Sequence, residues 1–481
     1  MTREDKHKIA VDQANDYVFT PLETVKSDAY RLGYHIMTPR GWMNDPNGLI
    51  QYNGEYHVFY QHYPYDSKWG PMHWGHVVSD DLVHWKHMPI SLAPSEDYDI
   101  GGCFSGSAVN NNGILTLIYT GHVDEKDPKE VQCLAYSEDG VTFSKEERNP
   151  VIGYPPEDGS QDFRDPKVWK HEEQWYMVLG TGKDEVGKAL LYRSNDLREW
   201  EYIGVMAESD GTLGYMWECP DLFKLGNKHV LVLSPMKDGW QNRYIVGELD
   251  YETGKFKQEA DYQLDYGFHF YAPQTLEDEC GRRLLIGWMD MWETKMPSQK
   301  NGWAGAMTIP RELTLSDENL LIIKPVSELE KLRAKEFSVE LGKVNSNVFE
   351  GISGRRLEIK GEFELVEGDT TFSIGLCESE DGQEETVITY DGGKEQLTVD
   401  LQKSGEGLSG IASVPVALNE GKLSLHIFLD HSSLEVFVND GQSVLTNRIY
   451  PKETSDGVYF KVESGKVNVI ALEVWELKSI W

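Results

Sequence analysis

The stretch 174-QWYMVLGTGKDEVGKALLYRSNDLREW-200 decides the fold. An apolar run, Gln174 to Leu179, is followed across a Gly- and charge-rich turn by a second, Lys188 to Tyr192, and then by Ser194-Asn195-Asp196-Leu197-Arg198-Glu199-Trp200. Short aromatic and aliphatic runs bounded by turn residues read as strands. The order strand, strand, S-x-D-x-x-x-aromatic also occurs elsewhere. Upstream, Glu55 to Tyr60 and Gly75 to Val78 lead to Ser79-Asp80-Asp81-Leu82-Val83-His84-Trp85, and Leu115 to Tyr119 and Val131 to Tyr136 lead to Ser137-Glu138-Asp139-Gly140-Val141-Thr142-Phe143. Two looser copies, Glu218 to Lys257 and Tyr271 to Pro325, bring the total to five. A supersecondary unit repeated around an axis leaves this kind of self-similarity. The expected fold is therefore all-β, with a five-bladed β-propeller over residues 35–325. A sandwich of irregular hairpins is the alternative.

The flanks read differently. Residues 1–34 form a polar extension in which Ile9, Ala10, Val11 and Ala14 hint at a short helix. After Pro325, the segment Val326 to Phe337 places Val326, Leu329 and Leu332 at helical spacing, so a connecting helix is expected over 326–337. Residues 338–481 alternate with period two, as in Leu423, Leu425, Ile427 and Leu429, and predict a second antiparallel domain, a β-sandwich.

Composition excludes several classes of partner. Lys+Arg 46 against Asp+Glu 80 gives 46 − 80 = −34, which repels nucleic-acid phosphates and anionic membranes. No apolar run reaches the roughly 20 residues of a membrane span, and charges occupy the N-terminus where a leader carries its apolar segment. A cytoplasmic location is expected. The five cysteines are scattered without C-x-x-C spacing and read as reduced thiols. Oligomeric state is left open.

A propeller makes a sharp demand, because the first strand of each blade lines the central channel. The five openings are Asp45, Ser105, Asp165, Glu218 and Tyr271, separated by 60, 60, 53 and 53 residues. Three of them are carboxylic acids. Asp45 lies in Asn44-Asp45-Pro46-Asn47-Gly48, a run of turn formers that on its own suits a surface turn. Asp165 lies in Phe163-Arg164-Asp165-Pro166-Lys167. Glu218 is flanked by Tyr215, Met216, Trp217, Cys219, Leu222 and Phe223, so desolvation is expected to raise its pKa, while Asp45 among amides is expected to stay ionised. Two carboxyls in divergent settings suit the acid and nucleophile of glycoside cleavage.

These residues resemble glycoside hydrolase family 32. N-D-P-N-G at 44–48, F-S-G-S at 104–107, R-D-P at 164–166 and E-C at 218–219 stand in the family's order, as do Y-A-P-Q at 271–274, W-A-G-A-M-T-I-P-R-E-L at 303–313 and S-S-L-E-V-F-V-N-D-G at 432–441. The resemblance implies a propeller followed by a sandwich and a β-fructofuranosidase acting on sucrose or sucrose 6-phosphate. It also implies that Asp45 is the nucleophile, Glu218 the acid and base, and Asp165, beside Arg164, a binder of fructose hydroxyls. Trp42, Met43, Asn44, Gln61, Trp69, Phe104, Ser105, Arg164 and Trp303 match positions that bind substrate in the family. Neither metal nor cofactor is implied, and His73, His76, His84 and His87 are expected to pack or hydrogen-bond. A fructan hydrolase, a fructosyltransferase and a non-catalytic sugar-binding protein are the alternatives. Two positions depart from the family: His269, where Asp is usual and which is expected at the funnel rim, and His431, where Arg is common. Location favours the phosphorylated sugar, for which Lys68, Lys183, Arg193, Lys237, Lys295 and Lys300 are candidate phosphate contacts.

Overall fold

The computed structural model describes residues 2–236, 241–339 and 348–481. Five four-stranded antiparallel units follow one another in the order of the repeat: 41–92, 102–145, 163–208, 216–263 and 271–325. The repeat has a local cause. In Ser79-x-Asp81, Ser137-x-Asp139 and Ser194-x-Asp196 the Asp carboxylate accepts two backbone N–H groups downstream, at 2.7 to 3.1 Å, and the next residue (Leu82, Gly140, Leu197) takes a positive φ. The motif is a side-chain-closed turn between the outer two strands of a blade.

Neighbouring blades seal separate cores against each other. Phe59 and Trp74 of the first blade pack with Leu117 and Tyr119 of the second, Ile118 and Leu134 with Phe163 and Met177, and Val178 and Leu191 with Leu231 and Ile245. The ring closes through a parallel pair, Gly41 with Trp303 and Trp42 with Ala304, which draws the last blade's connection onto the first strand. Gly305 allows this: its φ is 85°, and a Cβ there would lie 2.0 Å from the Met43 carbonyl.

Residues 348–481 supply most of two stacked sheets of six and five strands around a core that includes Ile359, Ile374, Val399 and Ile427. The connecting helix expected over 326–337 is corrected. Ser327–Leu332 is a 3₁₀ turn, and Arg333–Phe337 is a strand paired with Val474–Leu477 at the edge of the sandwich. Spacing of three suits a 3₁₀ turn as well as a helix. The N-terminal extension holds a longer helix than its apolar residues suggested, Arg3–Val18, capped by Thr2 and Asp5 and packed on the first blade through Ala14 and Val18 against Ile90.

Buried charges join the domains. His35 meets Asp430 at 2.8 Å and Glu435 at 3.0 Å, and Arg311 reaches Asp265 at 3.1 Å and Glu435 at 2.6 Å. His269 belongs here too and not at the funnel rim: it is 1% exposed, and its Nδ1 accepts the Arg448 N–H. His431 lies near Arg355, which donates to its carbonyl. Among the described residues no three His, Cys, Asp or Glu side chains are grouped to hold a metal. His57 and His76 contact each other at 3.0 Å, and His87 stacks on Trp481.

Candidate active site

Each innermost strand carries a register shift at the same depth: between Met43 and Pro46, Phe104 and Gly106, Arg164 and Lys167, Glu218 and Asp221, and Tyr271 and Gln274. These are β-bulges, which place extra residues against one partner and re-aim their side chains. Asp165, Cys219 and Ala272 take φ of 63°, 48° and 48°, and each is followed by Pro, whose missing N–H a bulge tolerates. In register, then, the fourth and fifth equivalents of Asp45 and Asp165 are Cys219 and Ala272, and Glu218 and Tyr271 stand one residue earlier. The bulge lets consecutive residues Arg164 and Asp165 both line the cavity, and lets Glu218 line it while Cys219 Sγ touches Asp45 and Asp165 from within the core.

The result is a cavity of about 310 Å³ whose lining includes Asp45, Asp165 and Glu218 together. Asp45 Oδ2 accepts from Ser105 Oγ at 2.6 Å, and Oδ1 accepts from Asn44 Nδ2 at 3.0 Å. Asn44 is itself fixed by Trp42 Nε1 at 2.7 Å. Asp165 Oδ2 accepts the Cys219 N–H at 2.8 Å, and Cys219 Sγ lies 3.5 Å from both Asp45 and Asp165. Glu218 Oε1 accepts from Arg164 Nε and Nη2 at 3.1 and 2.8 Å, and Oε2 accepts from the Tyr271 hydroxyl. Arg164 Nη1 is held in turn by Glu130 at 3.2 Å and Asp162 at 3.0 Å.

Burial pushes the Asp45 carboxyl up from its ordinary value, the Ser105 hydrogen bond opposes this, and the Glu218 charge adds to it. Burial also lifts Asp165 to about 7, with Arg164 pulling down and Glu218 and Asp45 pushing further up. The expected assignment of environments is thereby changed. Glu218 does not sit in an apolar pocket: Trp217 is buried behind the strand, and the Glu218 carboxyl faces a guanidinium and a phenol. Asp45 has side-chain donors rather than backbone amides around it, and burial dominates.

Of the expected substrate-binding residues, Asn44, Gln61, Trp69, Phe104, Ser105 and Arg164 line the cavity. Trp69 stands at the rim, 47% exposed, edge-on to Phe104. Trp42, Met43 and Trp303 do not line it. Trp42 braces Asn44 from behind, Met43 joins the core, and Trp303, fully buried, turns away to donate to Asp28 at 2.6 Å. The strand-closing role of Trp303 explains its place in the sequence. Further lining residues come from outside the bulges: His122, stacked on Phe104 at 4.0 Å, Asp124, Lys129, Glu130, Asp162 and Trp292. None of these stands in a motif that the sequence singled out; Asp162 only borders one, Phe163 to Lys167. None of Lys68, Lys183, Arg193, Lys295 and Lys300 lines the cavity, and Lys237 lies outside the described residues.

The description "Glycosyl hydrolases family 32 N-terminal domain" matches residues 35–325, and "Glycosyl hydrolases family 32 C terminal" matches residues 328–476. The chain belongs to glycoside hydrolase family 32. Within family 32 it is 45% identical, over 87% of its length and 89% of the relative's, to a sucrose-6-phosphate hydrolase of Escherichia coli. The fold matches the β-fructofuranosidase of Bombyx mori with a TM-score of 0.86 at 38% identity, covering 98% of this chain and 99% of that one. It matches the sucrose-6-phosphate hydrolase of Lactobacillus gasseri with a TM-score of 0.88 at 29% identity over the full length of both. As a family 32 member the chain is a glycoside hydrolase, and its architecture is the family's propeller and sandwich.

Proposed function

We propose that the chain is a retaining β-fructofuranosidase that cleaves sucrose at the fructosyl bond. One observation carries the reading: Asp45, Asp165 and Glu218, distant in sequence, line a single small cavity, each with a hydrogen-bond donor of its own. Carboxyls this close oppose one another's ionisation, so the site holds a proton near neutrality, and burial lifts Asp165 to about 7. Ser105 and Asn44 favour the anionic form of Asp45. Asp45 then attacks C2 of the fructosyl unit while Glu218 protonates the departing glucosyl oxygen. Oε1 of Glu218 stays with Arg164, and Oε2, beside the Tyr271 hydroxyl, carries the proton that passes to the glycosidic oxygen. In the second half Glu218 takes a proton from water, which attacks C2 and frees Asp45, so configuration is retained. Asp165 binds fructose hydroxyls. Retention requires the Asp45 and Glu218 carboxyls to lie roughly 5 Å apart. The five unpaired cysteines are in keeping with a cytoplasmic setting.

The lining favours an uncharged leaving group. Six acids, Asp45, Asp124, Glu130, Asp162, Asp165 and Glu218, share it with two cations, Lys129 and Arg164, both already paired to acids. A phosphate dianion would meet mostly carboxylates. A second reading, preference for sucrose 6-phosphate, has the names of the relatives in its favour. Initial rates on sucrose, sucrose 6-phosphate, inulin and levan with one preparation separate them. We expect the highest kcat/KM on sucrose and little on the polymers; a tenfold advantage for the phosphorylated sugar would establish the second reading. Product analysis at high sucrose reports transfer.

A further inference from the structure

Beside the cavity, which Trp292 lines, the turn after the Arg283–Trp288 strand carries Asp290, Met291, Trp292 and Thr294. Asp290 is 1% exposed, and its Oδ1 closes the turn by accepting from the Met291 N–H at 3.3 Å and Thr294 Oγ1 at 3.2 Å. Its other oxygen has no hydrogen bond. Among the described residues the one cation paired with it is Arg448, from the sandwich domain, whose Nη1 stands 3.8 Å from Oδ2 and is likewise without a hydrogen bond. Arg448 is itself anchored: Nε donates to the Ser432 carbonyl at 2.8 Å and Nη2 to Ser432 Oγ at 2.9 Å. Its guanidinium lies over the rings of Tyr450 and Trp303. Burial lifts the Asp290 pKa to about 6 against the pull of Arg448, so the pair holds a carboxylate at the edge of neutralising.

This turn presents Trp292 to the cavity wall. Trp292 stacks on Trp42 at 6.0 Å, and Trp42 holds Asn44, which holds Asp45. We propose that Arg448 is a positioning residue through which the sandwich domain fixes the Trp292 wall of the sugar site. Removing it strands a buried carboxylate, which must find water or a proton, and the carboxylate belongs to the side chain that closes the turn. The proposal rests on the fructosidase reading, but it is tested separately: loss of turnover in Asp45→Ala bears on that reading alone, whereas the pair below bears on substrate binding in an active enzyme.

Steady-state kinetics on sucrose are measured for the full chain, Arg448→Met, Asp290→Asn and the double variant. The expected result for Arg448→Met is a KM at least fivefold higher with kcat changed less than twofold. Adding Asp290→Asn, an amide that needs no counter-charge, returns KM to within twofold of the parent. A merely structural pair would lower Tm with KM unmoved. That outcome, or a double variant no better than the single, overturns the proposal. Should Arg448→Met be insoluble, Arg448→Gln, which keeps a donor toward Ser432, takes its place with the same two readings.

Discussion

Asp165 combines the left-handed backbone of its bulge with a carboxyl that burial and two neighbouring acids drive to about 7. Function and stability conflict at this residue. A carboxyl whose folded pKa lies above its unfolded value near 4 binds more protons folded than unfolded between those values, so its ionisation destabilises the fold as pH rises through about 7. Asp165→Asn removes that cost and keeps an acceptor for the Cys219 N–H. The variant is expected to lose activity yet melt a few degrees above the parent at pH 8, the gain vanishing as pH falls toward 4; thermal melts across that range check it. The three acids were legible from the sequence because each stands in a short motif at a blade opening. Their environments were not, since Arg164 and Glu218 are 54 residues apart and only the packing of blade four beside blade three brings guanidinium to carboxyl. Trp303 shows the same limit: a tryptophan in a motif near the site gives no sign of which side of the strand its ring will take.

The innermost strand of each blade is a hairpin arm with a bulge, and the bulge sets the site's depth. In the second blade Gly106 replaces the X-Pro of the others, for a steric reason: a Cβ there would lie 1.9 Å from the Ile118 carbonyl. Gly106→Ala should therefore destabilise by about 2–3 kcal/mol, as overpacking does, and shift Ser105 away from Asp45, lowering kcat; denaturant titration and kinetics test both effects. The repeat was legible at this scale because S-x-D turns recur for a hydrogen-bonding reason. The segment after Pro325 was not, because the strand Arg333–Phe337 is defined by its pairing with residues more than 130 positions later, beyond the reach of local spacing.

Across the whole molecule, the two domains share ionised groups instead of a purely apolar seam. Burial alone would lower the His35 pKa, but hydrogen bonds from both ring nitrogens to Asp430 and Glu435 raise it. Burial would raise Asp430 and Glu435; His35, and Arg311 at Glu435, hold them below the usual range. The histidine's contribution is full below about pH 6.5 and fades as pH rises through its raised value, while the carboxylates' contribution is present above about pH 4.5 and is lost below. His35→Gln should cost about 3–5 kcal/mol near pH 6, with the deficit narrowing at alkaline pH, as followed by urea unfolding. Nothing in the sequence around His35 announced this latch, whose partners lie nearly 400 residues away.

At the same scale lies the central claim, that one funnel joins a nucleophile and an acid drawn from blades one and four. Peptide mass spectrometry of Glu218→Gln, quenched during turnover of a fructosyl donor whose leaving group needs no protonation, tests it directly. Without its base the variant should accumulate one hexosyl residue on the peptide that carries Asp45. An unmodified Asp45 peptide, or an adduct on any other carboxylate, would contradict the account.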